Sequence, residues 1–334
     1  MANKAIAVII PVFNGARTIA RAIDSTLYQI FDGPLEVVVV NDGSTDATSE
    51  VLYQYGSRIT VLNQPNSGPA VARNVGVRES RSEFIAFLDA DDMFLPGKLA
   101  RTVSTLASRP NASLLFHNAI GLSRDGRQLC ESFVWAERAH APSLDEMLAV
   151  WWPIVPSTVV MRRSAFEACG GFCEDFKTAG YEDPDLWLRV REHGEFIYLP
   201  EKLTYYTTSE LRTERMEKYM GSRELFFRRL RQRYGYRANR LIESIIRNYV
   251  NWLSYQGLLA MQRGDQTLAR AYFARILRHH PTHLKSALRL LRTFLPTSLA
   301  RALSGRTAGA RYSENRDRLI DQASSVSIGH DRLA

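Results

Sequence analysis

Three carboxylates fall within four positions at Asp89-Ala90-Asp91-Asp92, directly after the apolar run Phe84-Ile85-Ala86-Phe87-Leu88. Carboxylates this close repel one another unless something cationic lies between them. Oxygen-only ligands suit a hard divalent ion such as Mg²⁺ or Mn²⁺. The plainer reading is a surface turn, since Asp favours turns and helix caps. A second acidic pair, Glu182-Asp183, stands before Pro184. A carboxylate there could take the proton of an attacking hydroxyl. The same residues also read as a helix start, with Asp183 as N-cap and Pro184 at the first position. Both readings can hold together. A carboxylate at a helix N-terminus is fixed in place, and its pKa is lowered, so it is ionised at neutral pH.

Further chemistry-bearing residues are spread over the first 90 positions. Pro11-Val12-Phe13 offers backbone groups and an aromatic face. Asp42 can accept from an N–H on the edge of a base, although Asp42-Gly43 is also a common turn pair. Arg73 could pair with Asp42 or contact a base; alternatively it is a helix-surface charge. Asp89 and Asp91 could meet a ribose and a metal. Phe13 could equally be a core aromatic. Taken together, these types are those that a nucleoside diphosphate ligand requires: a stacking face, an edge-reading acceptor, a hydroxyl partner and neutralisation of phosphate charge.

The elements that must position them alternate. Apolar runs at 5–10, 35–40, 59–62 and 84–88 read as strands, and helical spacing at 18–29, 51–55 and 68–77 separates them. Strands alternating with helices predict βαβ units and a parallel sheet, with polar loops at the strand ends where ligands lie. The next part is less regular. Strands are expected at 112–117, 131–135, 157–161 and 196–199, and helices at 99–106, 164–169 and 184–193. From about 212 the pattern becomes all-helical. Segment 255–291 is similar to a single tetratricopeptide-type hairpin turning at Gly264-Asp265, and residues past 304 read as a disordered tail. The expected domains are 1–210, 211–303 and 304–334.

The chain has 334 residues, 45% of them hydrophobic, enough for a substantial core. No uncharged stretch is long enough to span a membrane, and residues 1–4 lead into a strand without a cleavage site, so a cytoplasmic location is expected. Cys130, Cys169 and Cys173 lack metal-site spacing and are expected as free thiols. The net charge of +8 conceals a split: +15 over residues 202–334 and −7 over residues 1–201. Lys285, Arg289 and Arg292 interleave with Leu284, Leu288, Leu291 and Leu295, a basic amphipathic helix that could lie peripherally on an anionic membrane. The helices could instead cover an acceptor site or form a homo-oligomer. No nucleic-acid recognition motif is present.

Several stretches resemble family 2 glycosyltransferases of the GT-A fold. They are Val8-Ile9-Ile10-Pro11-Val12-Phe13-Asn14-Gly15, Asn41-Asp42-Gly43-Ser44-Thr45-Asp46, Asn66 to Gly76, Phe87 to Asp92, Gly170-Gly171-Phe172 and Glu182 to Arg189, in the family's order. The resemblance covers about residues 5–205. It implies an α/β, Rossmann-like, mixed but mainly parallel sheet flanked by helices, with a helical C-terminal extension. It implies an inverting transfer from a nucleotide sugar, such as a UDP-sugar, to a glycan, lipid-linked or other hydroxyl acceptor, in surface polysaccharide synthesis. Pro11, Val12, Phe13, Asn14, Asp42, Arg73, Asp89, Ala90 and Asp91 would hold the donor. Asp91, with Asp89, would bind Mn²⁺ or Mg²⁺ as a DXD motif. Asp183 would be the general base, with Glu182 and Trp187 on the acceptor side.

One departure stands out. Family members often carry a Tyr-Arg-x-His segment after the last strand; here the region reads Tyr205-Tyr206-Thr207-Thr208-Ser209, with Arg212 or Arg215 as substitutes from the next loop. Two other readings stay open: a catalytically silent nucleotide-sugar-binding or scaffold protein, and a nucleotidyltransferase. The latter is disfavoured because no Gly-rich, Lys-bearing phosphate loop is present.

Overall fold

The structure, a computed structural model, describes residues 4–123, 126–130, 140–178, 180–207, 213–279, 281 and 283–294, without the side chains of 130, 213–221 and 279. The strand expected at 131–135, the tail from 304, and the side chains of Cys130, Arg212 and Arg215 lie outside the described residues. The chain divides into two compact units, Met1–Asn239 and Arg240–Ala334.

The first unit opens with β1 (Ile6–Val12), α1 (Ile19–Leu27), β2 (Leu35–Asp42), α2 (Thr48–Tyr53), β3 (Thr60–Gln64), α3 (Pro69–Glu79) and β4 (Phe84–Phe87). β1 pairs parallel with β2 and with β4, and β2 pairs parallel with β3. Ile6 to Ile10, Val38 to Val40 and Phe84 to Leu88 are all buried. Such strands read as continuous apolar runs because helices cover both faces of a parallel sheet.

The unit continues with β5 (Met93–Phe94), α4 (Lys98–Ala107), β6 (Ala112–Leu122), β7 (Gln128–Cys130), α5 (Leu144–Ala149), β8 (Val159–Arg162), α6 (Arg163–Ala168), α7 (Glu182–Arg191), β9 (Glu195–Thr207) and α8 (Thr213–Tyr234). The strand order is β3-β2-β1-β4-β8-β6-β9-β5, with β7 beside β6. β8 runs antiparallel to β4 and β6, β5 runs antiparallel to β9, and β6 and β9 are parallel. Six of the eight strands on that path therefore point one way. The sheet is mixed and mainly parallel.

The differences from the expected elements are local. The apolar run at 196–199 is only the start of β9. Its register against β6 slips between His117 and Asn118, opposite Pro200 and Glu201, and the strand then continues to Thr207. Proline supplies no ladder N–H, so a bulge there is the economical geometry. Helix α5 was not expected, although it opens on a full capping box, with the Ser143 side chain accepting from the Glu146 amide.

In the second unit, α9 (Asn239–Gln262, beginning one residue before the division) and α10 (Gln266–His279) form a hairpin turning at Gly264-Asp265, followed by α11 (Leu284–Arg292). Asp265 caps α10 by accepting from the Leu268 amide at 2.9 Å. Among the described residues no helix is long and apolar enough to cross a membrane.

Candidate active site

The carboxyl ends of β1, β2 and β4 lie side by side, since the three strands are hydrogen-bonded neighbours. Asp42, the last residue of β2, is buried. Its Oδ1 accepts from Gln64 Nε2 at 2.7 Å and from the Ser67 amide at 2.8 Å, and its Oδ2 accepts from the Gly68 amide at 2.9 Å. Gly68 has φ +92°, and a Cβ there would stand 2.5 Å from the Lys177 carbonyl oxygen, so this turn needs glycine. The loop after β1 is tied to the loop after β2. The amides of Asn14 and Gly15 donate to Ser44 Oγ and Thr48 Oγ1, each at 3.0 Å, and Asn14 Oδ1 accepts from the Thr45 amide at 2.8 Å. Pro11 and Val12 close β1 opposite Val40 and Asn41. Phe13 is 49% exposed, which sets aside the core-aromatic alternative and leaves its ring available to a ligand. Ala90 sits at the same end, 3.7 Å from where a Cβ on Gly15 would be.

The Arg73 guanidinium does not reach Asp42, nor is it a surface charge. It is buried, donating from Nη2 to Asp89 Oδ1 at 2.7 Å and from Nη1 to Glu182 Oε1 at 3.0 Å. Its place follows from α3, whose buried face includes Ala70, Ala72, Arg73, Asn74 and Val77. The next residue joins the same helix to the Gly-Gly-Phe turn: Asn74 Oδ1 accepts from the Phe172 amide and Nδ2 donates to the Phe172 carbonyl, both at 2.9 Å. Gly171, at φ +70°, leaves no room for a Cβ, which would lie 2.7 Å from Asn74 Oδ1.

The acidic loop is held from behind. The Asp89 amide donates to Ser157 Oγ at 3.0 Å. Thr207, at the end of β9, donates its amide to Asp92 Oδ1 at 2.7 Å and its hydroxyl to the Asp91 carbonyl at 2.5 Å. Thr207, in the segment where an Arg and a His were missing, thus anchors the loop. Asp92 is buried, and its carboxyl is pushed well above the usual range by burial, then by the charges of Asp89 and Asp91. Lys98 is fully buried beneath, donating to the Ser157 carbonyl at 2.8 Å, and burial drives its ammonium well below the ordinary lysine value. Ser157, Thr207 and Lys98 carried no readable sequence signal, because each acts through a contact some 60 to 120 residues away in the chain.

Do these residues fit a divalent ion? Among the described residues no cluster of three His, Cys, Asp or Glu could hold one unaided. One Asp89 oxygen is taken by Arg73, while Asp91 is partly exposed. The mutual repulsion that raises Asp92 is what a cation beside Asp91 would relieve. Mg²⁺-type sites commonly use one or two carboxylates together with substrate phosphates. The donor set fits that kind of site.

The opposite wall is the start of α7. The helix begins at Glu182 with Tyr181 as N-cap, so Asp183 is its second residue rather than the cap. Glu182 is buried between Arg73 and the Gly180 amide, which donates to Oε2 at 2.6 Å. It therefore supports Arg73 and does not face an acceptor. The expected lowering of the Asp183 pKa is also corrected. Burial, then the adjacent Glu182 charge, push it well up, and Arg73 opposes them. Helix-end stabilisation is outweighed because the half-buried group is partly desolvated beside another carboxylate. Trp187 is likewise not on the acceptor side. It is 1% exposed, its Nε1 donates to the Ile154 carbonyl at 2.9 Å, and it packs with Phe87 and Phe172. One turn on from Asp183, it points into the core.

Residues 7–170 match the family described as Glycosyl transferase family 2. That match takes in 164 of the 334 residues and every strand of the sheet except β9. An uncharacterized glycosyltransferase of Rickettsia typhi is 29% identical over 189 residues, 55% of this chain and 58% of that protein. The chondroitin synthase of Pasteurella multocida is 29% identical over 204 residues, 60% of this chain and 20% of its own length. The chain thus spans little more than half of the first of these relatives and a fifth of the second. Among solved structures, S. aureus TarS 1–349 in complex with UDP-GlcNAc superposes with a TM-score of 0.59 at 21% identity, covering 87% of this chain and 89% of that one. That likeness is one of fold, and the fold is of the GT-A type.

Proposed function

We propose that this protein is an inverting glycosyltransferase that moves a sugar from a nucleotide donor, a UDP-sugar, to a hydroxyl on a glycan or lipid-linked acceptor. The observation that carries the reading is the buried Arg73, ion-paired at once to Asp89 and Glu182. It ties the acidic loop after β4 to the first turn of α7, so the donor-side carboxylates and Asp183 share one end of the sheet. The uridine lies over Pro11, Val12, Phe13 and Asn14, with Asp42 reading the base edge and Asp89 and Ala90 beside the ribose. Asp91 would hold a Mn²⁺ or Mg²⁺ ion, which would supply charge neutralisation for the departing diphosphate. The acceptor oxygen attacks the anomeric carbon from the face opposite the diphosphate. A new C–O bond forms as the sugar–phosphate bond breaks, and Asp183 takes the hydroxyl proton.

The complexes of the structural neighbour with UDP and UDP-GlcNAc support uridine as the base. A relative named chondroitin synthase supports a glycan acceptor and a role in polysaccharide synthesis. The test is release of UDP from a panel of UDP-sugars, with and without acceptor. The parent should release UDP, and Asp183→Asn should retain UDP binding while losing transfer by about 10²- to 10⁴-fold. UDP binding with no turnover on any sugar would point to a silent binder instead.

A further inference from the structure

Helix α11 is packed inside out. Ser286 and Thr293, small and polar, are its buried positions, at 0% and 1% exposure. Most of its large apolar side chains face outward: Leu284, Leu288, Leu291 and the following Phe294 are 70%, 55%, 64% and 63% exposed, the Phe294 ring with the Arg270 guanidinium over one face at 4.2 Å. At about 100° per residue these four fall within one stripe along the helix. The polar contacts of α11 run on its other side. Arg270 of α10 donates to the Thr293 carbonyl at 2.7 Å, and Arg289 Nη1 reaches Ser254 Oγ of α9 at 3.4 Å. An ordinary surface helix turns its leucines to the core; this one presents three of its four to solvent. Four neighbouring large apolar groups at such exposure mark an interaction surface.

The charge around the stripe says what kind. Lys285 borders it and is exposed, while Arg289, turned toward α9, and Arg292 are half-buried. Between Arg240 and Phe294 there are nine Lys or Arg against two carboxylates, Glu243 and Asp265, a net charge of +7. Leucine and phenylalanine on one face, bordered by a long cationic side chain, suit the boundary between acyl chains and anionic headgroups. There the cationic stem can lie along apolar surface while its charge stays with phosphate. A helix of this length lies in the interface and does not span it.

We propose that α11 docks the protein on an anionic lipid bilayer, with Leu284, Leu288, Leu291 and Phe294 inserted at the acyl boundary and the exposed Lys285 on the headgroups, within the net positive charge of these helices. The inference is independent of the sugar-transfer chemistry. The test is co-sedimentation of the full chain with vesicles of phosphatidylcholine alone and of phosphatidylcholine mixed with phosphatidylglycerol, at low and high salt. Binding is expected to the mixed vesicles and to fall as salt rises, because exposed charge attraction is screened. The double substitution Leu288→Ser with Leu291→Ser should weaken vesicle binding by about tenfold or more. Its helical content by circular dichroism should be unchanged, since both side chains are exposed. Equal binding to neutral vesicles, or parent-like binding by the double variant, would overturn the proposal. So would a self-association of the parent that the same two substitutions abolish, because the stripe would then be covered by a second copy.

Discussion

As the proposed general base, Asp183 carries two opposed demands. A general base must be ionised, yet burial and the Glu182 charge favour its protonated form. A carboxyl whose pKa is higher folded than unfolded contributes stability at acid pH, below its unfolded value. That contribution is lost as the pH rises through the folded value. Asp183→Asn should therefore raise Tm at neutral pH relative to the parent, with the gap closing in acid, as thermal melts across a pH series would show. The same raised pKa should place the acid limb of kcat/KM above the usual carboxylate range. Arg73 opposes the shift, and its own charge has no water to fall back on. Arg73→Met leaves Glu182 as a buried, uncompensated anion and should cost about 3–5 kcal/mol in denaturant unfolding. A loss under 1 kcal/mol would mean that the pair is far better solvated than its burial indicates.

The elements act through their ends. α3 presents Arg73 and Asn74 on one buried face, so a single helix braces both the acidic loop and the Gly-Gly-Phe turn. β9 delivers Thr207 to the back of the acidic loop after the slip at Pro200 has reset its register. α7 carries Asp183 in its first turn and Trp187 one turn later, pointing into the aromatic cluster of Phe87, Phe166 and Phe172. Trp187→Phe leaves the Ile154 carbonyl without its buried donor and should destabilise by about 1–3 kcal/mol. The KM for the acceptor should stay unchanged. A shift in that KM without a loss of stability would return Trp187 to the acceptor side.

At the scale of the molecule, the charge split separates an acidic sheet-bearing part from a basic helical one. The acidic part gathers carboxylates where the proposed phosphorylated donor would bind, a site that calls for a cation as the ligand's companion. UDP with Mn²⁺ should raise Tm by mass action, and UDP with a chelator should raise it much less. Thermal shift in the presence of Mn²⁺ alone, UDP alone and both together checks this. Equal shifts with and without the ion would assign phosphate neutralisation to protein side chains. The basic part needs no catalytic role to account for its charge, given the outward leucines of α11.

By itself the sequence determined the repeated strand–helix order, the parallel half of the sheet and the loops at its carboxyl ends. Those follow from apolar periodicity and strand-end punctuation, which are local. It also singled out Asp42, Asp89 and Asp91, because carboxylates that end apolar runs are visible, and Asp183 through its Glu-Asp-Pro setting. Only the tertiary structure decided what Arg73, Glu182 and Trp187 do, since an ion pair spanning 109 positions and a tryptophan's choice of side depend on packing. It alone reversed the pKa of Asp183, because desolvation is a property of the surroundings and not of the helix start that the residues spell. For α11 the amphipathic pattern was legible, but not that its leucines face out, since periodicity defines two faces without saying which one is covered.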